Sequence, residues 1–196
     1  SAAFSLISPS STSDGAFTYT TSNPAVATIA GDVVTIVGAG NATITAVQAS
    51  TTNYISGIIT AQFVVTKGSS TLTNFSVPEK LFGSADFVLV PPTSITNAIF
   101  TYTSSDLSVA TIVRNVVTIV GIGSSTITAT QASSANYTSG MISATFAVSK
   151  ATPVLTSFAV STKAVGDASF SLVAPTSNSD GAFTYTSSDL SVATIE

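Results

Sequence analysis

The sequence predicts an all-β protein built from tandem β-sandwich domains, and three observations carry this prediction. Of the 196 residues, 44% are hydrophobic and only 7% are charged, and the polar residues are mostly Ser and Thr. Val, Ile, Thr, Phe and Tyr, which fit the pleated surface of a strand, are abundant. Apolar and polar residues alternate over short segments, and one motif returns at a fixed interval.

The repeated motif sets the size of the domain. The stretch FTYTSSDLSVATI occupies residues 100–112 and returns unchanged at 183–195, and a looser copy, FTYTTSNPAVATI, occupies residues 17–29. The copies are 83 residues apart, and no insertion or deletion breaks the register. This period is too long for a solenoid repeat, which cannot bury its apolar face alone, and suits a small autonomous sandwich domain.

The domain boundaries are predicted to follow Lys67 and Lys150, which end the related stretches AQFVVTK and ATFAVSK. Residues 1–67 then form a repeat that lacks its first strand, residues 68–150 a complete repeat, and residues 151–196 the N-terminal part of a third. The simpler interpretation is that the sequence is one part of a longer array of repeats. The alternative is strand exchange, in which a neighbouring chain supplies the missing element from the start of its third repeat.

Three strands are predicted in the first half of the complete repeat. Residues 71–77, TLTNFSV, alternate as one regular strand, with Leu72 on the face opposite Phe75. Residues 86–90, DFVLV, are short and apolar and are ended by two prolines. Residues 99–104, IFTYTS, place both aromatic residues on the inner face and the threonines on the outer face.

Four strands are predicted in the second half. Residues 108–113 and 115–120, SVATIV and NVVTIV, are nearly continuous and are joined by a turn at Arg114. Residues 124–131, SSTITATQ, and residues 142–149, ISATFAVS, alternate with their apolar residues inward. Seven short strands favour antiparallel pairing in two facing sheets, because a single sheet would leave one apolar face exposed.

Paired glycines at the same place in both longer repeats indicate turns. Gly38 and Gly40 in the first repeat match Gly121 and Gly123 in the second. Glycine adopts positive φ without the steric cost of a side chain. We therefore expect all four glycines to occupy turn positions that require positive φ.

Residues 19–48, YTTSNPAVATIAGDVVTIVGAGNATITAVQ, resemble the bacterial immunoglobulin-like domain, group 2, which is the invasin and intimin type of repeat. The resembling features are Ser-Asn-Pro-x-Val-Ala-Thr-Ile, Val-x-x-Val-Gly-x-Gly and Ala-Thr-Ile-Thr-Ala, and the second repeat has the related stretches SSDLSVATI, VVTIVGIG and STITAT. The resemblance implies immunoglobulin-like sandwiches of seven strands in tandem arrays, as in bacterial surface adhesins, phage decorations and giant-virus surface proteins. It implies a role in spacing, stiffening and display, and it carries no catalytic residues.

The composition disfavours catalysis and several classes of partner. His and Cys are absent, which removes the commonest general base, the thiol nucleophile and most transition-metal ligands. Basic residues occur singly, unlike those of a nucleic-acid or anionic-membrane surface; they are Lys67, Lys80, Arg114, Lys150 and Lys163. No run reaches about 18 apolar residues, so no membrane insertion is predicted for this segment.

No cofactor is predicted, and calcium at a junction between repeats is the one alternative that stays open. Calcium takes about six to eight oxygen ligands, several of them from carboxylates. Glu79, Asp86 and Asp106 are too dispersed in the sequence to form a recognisable run of ligands. We interpret these residues as solvated or turn-capping acids.

Three Asn-x-Ser/Thr triplets, at Asn41, Asn74 and Asn136, are candidate glycosylation sites. Such triplets arise often by chance in a chain this rich in Asn, Ser and Thr. Glycosylation is expected only if the protein is made in a eukaryote or by a virus that replicates in one.

Together these features predict a non-catalytic structural repeat segment of an extracellular, cell-surface or virion-surface fibre or stalk, which spaces and displays other modules. The expected partners are neighbouring repeats or copies of the chain itself, with a host-surface receptor or glycan as a further candidate. Two alternatives stay open: an adhesin segment that binds a receptor or glycan directly, and a filament subunit that polymerises by strand exchange. The near-identity of the repeats favours a scaffold, because binding residues would concentrate in the loops of one repeat.

Overall fold

The computed structural model describes residues 2–196 and confirms the all-β class. Those residues form strands, turns and loops and contain no helix. The chain divides into two compact units, Ser1–Ser149 and Lys150–Glu196. The first unit contains both of the longer repeats, and no sheet combines strands from the two repeats.

The first repeat has six strands within residues 2–67. They are β1 (Ala3–Ser5), β2 (Phe17–Thr21), β3 (Ala27–Ala30), β4 (Val33–Ile36), β5 (Gly40–Gln48) and β6 (Gly57–Val65). One sheet has the order β2-β5-β6 and the other the order β1-β4-β3, and all pairings are antiparallel. The core between the sheets is small and centres on Ala27, Val34 and Ile44.

The second repeat has nine strands within residues 68–150. They are β7 (Leu72–Thr73), β8 (Lys80–Leu81), β9 (Phe87–Val88), β10 (Thr93–Ser94), β11 (Phe100–Ser104), β12 (Ala110–Val113), β13 (Val116–Ile119), β14 (Gly123–Gln131) and β15 (Gly140–Ser149). Each of the seven predicted segments contains a strand. The count of seven is nevertheless wrong, because the two-residue strands β8 and β10 lie outside those segments.

The strands of the second repeat form a sandwich of two main sheets. One sheet has the order β11-β14-β15-β8 and the other the order β12-β13-β9, while β7 and β10 pair separately. All pairings are antiparallel except that of β8 with β15, which is parallel. Strand β8 therefore extends the edge of the sheet that β14 and β15 build.

The inner faces of the two sheets form the core of the second repeat. Phe146 on β15 and Ile127 on β14 are fully buried, and Val117 on β13 belongs to the same cluster. The ring of Phe87 on β9 packs against Phe146 with 5.5 Å between centroids. The inward positions predicted for β14 and β15 are confirmed, since Ala144 is partly buried against the core and the following residues are buried: Ile127, Ala129, Phe146 and Val148.

The prediction of one regular strand over residues 71–77 is wrong, because the backbone turns at Asn74. Strand β7 ends at Thr73, and Asn74 has a φ of 58°, in the left-handed region. This turn breaks the two-residue alternation of side chains. Leu72 and Phe75, predicted on opposite faces, are therefore both partly buried.

The expectation of positive φ is met at Gly40 and Gly123, which have φ values of 148° and 139°. It is wrong for Gly38 and Gly121, where close approach of the backbone excludes a side chain. A Cβ atom would lie 2.7 Å from a backbone carbonyl oxygen at Gly38 and 2.6 Å from one at Gly121. Glycine is therefore needed at all four positions, but for two different reasons.

The second unit, residues 150–196, is mostly loop. Its two strands, β16 (Leu155–Thr156) and β17 (Thr176–Ser177), pair antiparallel and match β7 and β10 of the second repeat. Phe158 stacks against Tyr185 with 5.9 Å between ring centroids. Most side chains of this unit are exposed.

Candidate functional site: the repeat junction and an open sandwich face

The two longer repeats meet without a free linker. Gly68 directly follows Lys67, and its N–H donates to the carbonyl oxygen of Asn136 at 2.9 Å. The carbonyl oxygen of Gly68 accepts from the N–H of Thr138, also at 2.9 Å. The ring of Tyr137 lies against the same residue, within 3.2 Å of where a Cβ atom of Gly68 would stand. These bonds fix Gly68 to the loop that follows β14 in its own repeat, so the second repeat begins at this residue without free chain.

Two side chains tie the loop that follows β14 to the first repeat. The Oδ1 atom of Asn136 accepts a hydrogen bond from the backbone N–H of Ala39 at 2.9 Å. The ammonium group of Lys67 donates to the carbonyl oxygen of Ser134 at 2.7 Å. Each such bond contributes about 0.5–1.5 kcal/mol, so the junction gains its stiffness from several bonds acting together.

The inner face of the β2-β5-β6 sheet in the first repeat is only partly covered. Two depressions of about 180 and 160 Å³ lie along this face and share Pro9, Ala46 and Ile59. They form one continuous cleft, which we call the open groove. Its lining is largely apolar and includes Leu6, Pro9, Tyr19, Ile44, Ala46 and Ile59.

The matching face of the second repeat is covered by residues 68–83. Val77 from this segment is only 8% exposed and belongs to the core cluster. Phe146, on the strand beneath, is fully buried, whereas its counterpart Phe63 in the first repeat is partly exposed. Ile59, which lines the open groove, is 56% exposed. Residues 2–67 contain no counterpart of β7 and β8 that covers the inner face of β6.

The interpretation of Asp106 as a turn-capping acid is confirmed. Its Oδ1 atom accepts from the N–H of Ser108 at 2.9 Å and from the Ser108 hydroxyl at 2.6 Å. The hydroxyl bond, followed by the backbone bond, holds the pKa of Asp106 below its ordinary value. Asp189 makes the same two bonds to Ser191, with the same lowering of its pKa. In the first repeat, Asn23 caps the matching turn.

The acids considered for calcium do not gather in the structure. Among residues 2–196, no three His, Cys, Asp or Glu side chains lie close enough to hold a metal ion together, so Glu79, Asp86 and Asp106 form no such group. The Oδ2 atom of Asp86 accepts a hydrogen bond from the hydroxyl of Thr118 at 2.9 Å. The same residues also lack any helix that is long and apolar enough to cross a membrane.

Gln131 is a structural residue that sequence reasoning missed. It is fully buried, its Oε1 atom accepts from the hydroxyl of Ser94 at 2.6 Å, and its Nε2 atom donates to the carbonyl oxygens of Thr96 and Ala98 at 3.2 and 3.1 Å. Gln48 makes the matching set of bonds in the first repeat. These bonds fix the loop between β10 and β11 to the sheet. The sequence signal for this role is an amide at an inward strand position that otherwise carries apolar residues.

The three candidate glycosylation residues are exposed and lie in separate places. Asn41 lies on β5, and Asn74 donates from Nδ2 to the hydroxyl of Thr93 at 3.3 Å. Asn136 lies at the repeat junction, where its side chain holds Ala39. Glycosylation of any of them stays a prediction.

No protein-family model matches the chain, and no curated protein matches it. Among solved structures, the chain is similar to the EC1-2 segment of human protocadherin-24, with 12% identity, a TM-score of 0.31 and coverage of 74% of this chain and 87% of that one. The chain is also similar to the EC1-4 segment of Drosophila N-cadherin, with 12% identity, a TM-score of 0.31 and coverage of 70% of this chain and 42% of that one. A third similar structure is that of domains 4–9 of the surface layer protein SbsC, with 20% identity, a TM-score of 0.29 and coverage of 71% of this chain and 23% of that one. Likenesses of this strength assign neither a family nor a function to the chain.

Proposed function

We propose that the chain is a non-catalytic structural repeat segment of an extracellular or virion-surface fibre or stalk, which spaces and displays other modules. The observation that carries the proposal is the junction between the two longer repeats, which the side chains of Asn136 and Lys67 cross with hydrogen bonds to Ala39 and Ser134. A spacer needs such a junction, because a flexible linker lets the separation of its ends vary.

The sequences of the repeats support the same role. Residues 100–112 and 183–195 are identical, whereas a site for a specific partner would need loop residues that one repeat has and the others lack. The surface is rich in hydroxyl groups and the chain has only five basic and nine acidic residues, so charge repulsion opposes lateral packing weakly. The resemblance to group 2 bacterial immunoglobulin-like repeats points in the same direction.

Distances between paired spin labels test the spacer role. The chain has no cysteine, so Thr20→Cys combined with Thr103→Cys places one label at matched, exposed positions of the two longer repeats. We expect a single narrow distance distribution. Asn136→Ala removes the bond to Ala39 and should broaden that distribution. The matched control is Asn53→Ala, at the same position of the first repeat, and it should leave the distribution narrow.

A broad distribution in the otherwise unsubstituted chain would contradict the proposal, since it would mean that the repeats move independently. Immunogold labelling of the producing cells or virions tests the location separately. Label on the outer surface supports a fibre or stalk, and label confined to the cell interior would contradict it.

A further inference from the structure

We propose that the outer edge of strand β11, together with its counterpart β2, is a docking site for the same edge of a second copy of this chain, which joins the two molecules into one continuous antiparallel sheet. The proposal rests on the backbone groups that these strands leave unpaired, on the absence of protection at this edge and on the self-complementary order of its side chains. It concerns an interaction surface and does not depend on the spacer role.

Strand β11 has a neighbour on one side only. It lies at the edge of its sheet and pairs with β14. The strands that precede it in the same repeat pair elsewhere: β7 with β10, β8 with β15 and β9 with β13. Strand β2 is the matching edge of the first repeat and pairs only with β5. Both edges begin with the sequence Phe-Thr-Tyr-Thr, so one mode of docking serves both.

Hydrogen bonds at the two ends of β11 show which of its residues bond β14. The N–H of Ala132 donates to the carbonyl oxygen of Ile99 at 3.2 Å. The N–H of Ser105 donates to the carbonyl oxygen of Thr126 at 3.0 Å. The first repeat makes the matching bonds at both ends of β2, each at 2.9 Å. Ile99 and Ser105 therefore direct their backbone groups toward β14.

The residues between them alternate, because in an antiparallel pair every second residue bonds the partner strand and the others face away from it. Counted from Ile99 and Ser105, the N–H and C=O groups of Phe100, Tyr102 and Ser104 face the open side of β11. None of these groups bonds a turn or loop within residues 2–196. Such a row of unpaired backbone groups is a template for a further strand.

The other edge strands of the second repeat carry features that discourage strand addition. Strand β8 is two residues long and contains Lys80, and β9 is two residues long and lies just ahead of Pro91 and Pro92. Strand β12 ends beside Arg114. Strand β11 is five residues long, and residues 99–105 contain neither a charge nor a proline. Short strands, charges and prolines are the usual protection of an edge, and β11 has none of them.

The order of side chains on β11 matches a second copy of the same strand. A two-fold pairing centred on Tyr102 places this residue opposite its own copy and Thr101 opposite Thr103 of the second copy. Both threonines are exposed, and Thr–Thr pairs directly opposite each other stabilise antiparallel strands. The three outward-facing residues of each strand then exchange about six backbone hydrogen bonds. The chain itself therefore carries the neutral, symmetric occupant that this edge fits.

Sedimentation velocity of the 196-residue chain over a concentration series tests the proposal, and association should increase with concentration. A lysine variant replaces the exposed threonines of both edges, with the substitutions Thr18→Lys, Thr20→Lys, Thr101→Lys and Thr103→Lys. Like charges then stand directly opposite each other, so association should weaken at least about tenfold. Four lysines offset the net charge of −4, so general charge repulsion does not explain such a loss.

A matched control places the same four charges on the outer faces of the same two sheets, away from β2 and β11. Its substitutions are Thr60→Lys and Gln62→Lys on β6 and Ser143→Lys and Thr145→Lys on β15, all at exposed positions. This control variant should associate as the unsubstituted chain does. Unchanged amide exchange of β14 checks that both lysine-bearing chains are folded.

Mixing variants of opposite charge gives the sharpest result. A glutamate variant carries Glu at the four positions of the lysine variant and should also associate weakly by itself. An equimolar mixture of the two should form a one-to-one complex, because opposite charges then face each other across the paired edges. A mixture of the glutamate variant with the control variant should not. In the unsubstituted chain, amide exchange of Tyr102 should slow as the concentration rises.

A chain that stays monomeric at every concentration overturns the proposal. So does association that the lysine variant keeps or the control variant loses, a mixture of opposite charges that does not associate, or exchange at Tyr102 that is independent of concentration. Any of these results would leave the distance test of the spacer role unaffected, because that test compares two labels within one chain.

Discussion

Truncation of two matched phenylalanines tests whether the repeats differ as the open groove implies. Phe146→Ala removes a fully buried side chain, and Phe63→Ala removes its counterpart from a partly covered core. Substitutions of Phe by Ala in cores cost about 3–5 kcal/mol of unfolding free energy, so Phe146→Ala should cost about 4 kcal/mol. Phe63 is already in contact with water, and its truncation should cost about half as much, about 2 kcal/mol.

Hydrogen exchange followed by mass spectrometry measures the free energy of opening in each of the two repeats separately. Amides of β14 report on Phe146→Ala, and amides of β5 report on Phe63→Ala. A tenfold change in an equilibrium constant corresponds to about 1.4 kcal/mol. Exchange should therefore accelerate by about a thousandfold in β14 and by about thirtyfold in β5.

Equal acceleration in the two repeats would contradict this prediction, because it would mean that the core of the first repeat is covered as well as that of the second. The controls are Thr18→Ala and Thr101→Ala, at matched exposed positions on β2 and β11. Each should change the unfolding free energy by less than about 0.5 kcal/mol.

Three further predictions test separate contacts. Gln131→Ala leaves a hydroxyl and two carbonyl oxygens without their partner, so the unfolding free energy measured in urea should fall by about 2 kcal/mol. Arg114 has a φ of 61° in the hairpin turn where the first repeat has Gly31 at 63°. Arg114→Gly should therefore increase the unfolding free energy by roughly 0.5–1 kcal/mol and raise the urea midpoint. Gly31→Arg should decrease the unfolding free energy by a similar amount and lower the urea midpoint. The turn capped by Asp106 should loosen in acid. The pKa of Asp106 is lower in the folded protein than in the unfolded chain, so its carboxylate stabilises the turn at any pH above the ordinary pKa of Asp. This stabilisation is lost as the pH falls through the pKa of the folded protein. Amide NMR shifts of this turn should titrate below the ordinary pKa of Asp, and those of the turn capped by Asn23 should not.

Each of these predictions has an outcome that would contradict it. An unchanged urea midpoint for Gln131→Ala would mean that the buried amide is not needed to hold its loop. A loss of stability in Arg114→Gly would mean that the arginine side chain matters more than backbone strain. An acid transition in both turns would place the titrating group elsewhere.

The 83-residue repeat and the alternation of apolar and polar residues predicted the domain class and the long strands that bury one face. The interval of 83 residues and the alternation in residues 124–131 and 142–149 gave the correct class, and β14 and β15 bury the residues expected on their inner faces. Long strands with one buried face leave a two-residue pattern that is readable without a structure. The sheet that forms the floor of the open groove could be predicted in the same way.

The remaining features depend on contacts that local sequence does not specify. Asn74 adopts a left-handed conformation that ends β7 after two residues, and a regular alternation gives no sign of it. Asn136 lies in an ordinary polar loop, and its role at the junction comes from the approach of Ala39, which is far away in sequence. Gln131 stands at an inward position of β14, but the groups that bond its amide lie far away in sequence, in β10 and the loop that follows it. For all three residues, the conformation or the bonding depends on groups that only the folded chain brings close.

The open groove of the first repeat corresponds to the face that residues 68–83 cover in the second. The most direct measurement is amide exchange of β6 in a chain carrying a fused copy of residues 68–83 immediately ahead of residue 1, which reproduces the spacing of the second repeat. Exchange of β6 should slow until it matches that of β15. If the exchange of β6 stays as fast as in the chain without the fused segment, this correspondence between the two repeats is contradicted.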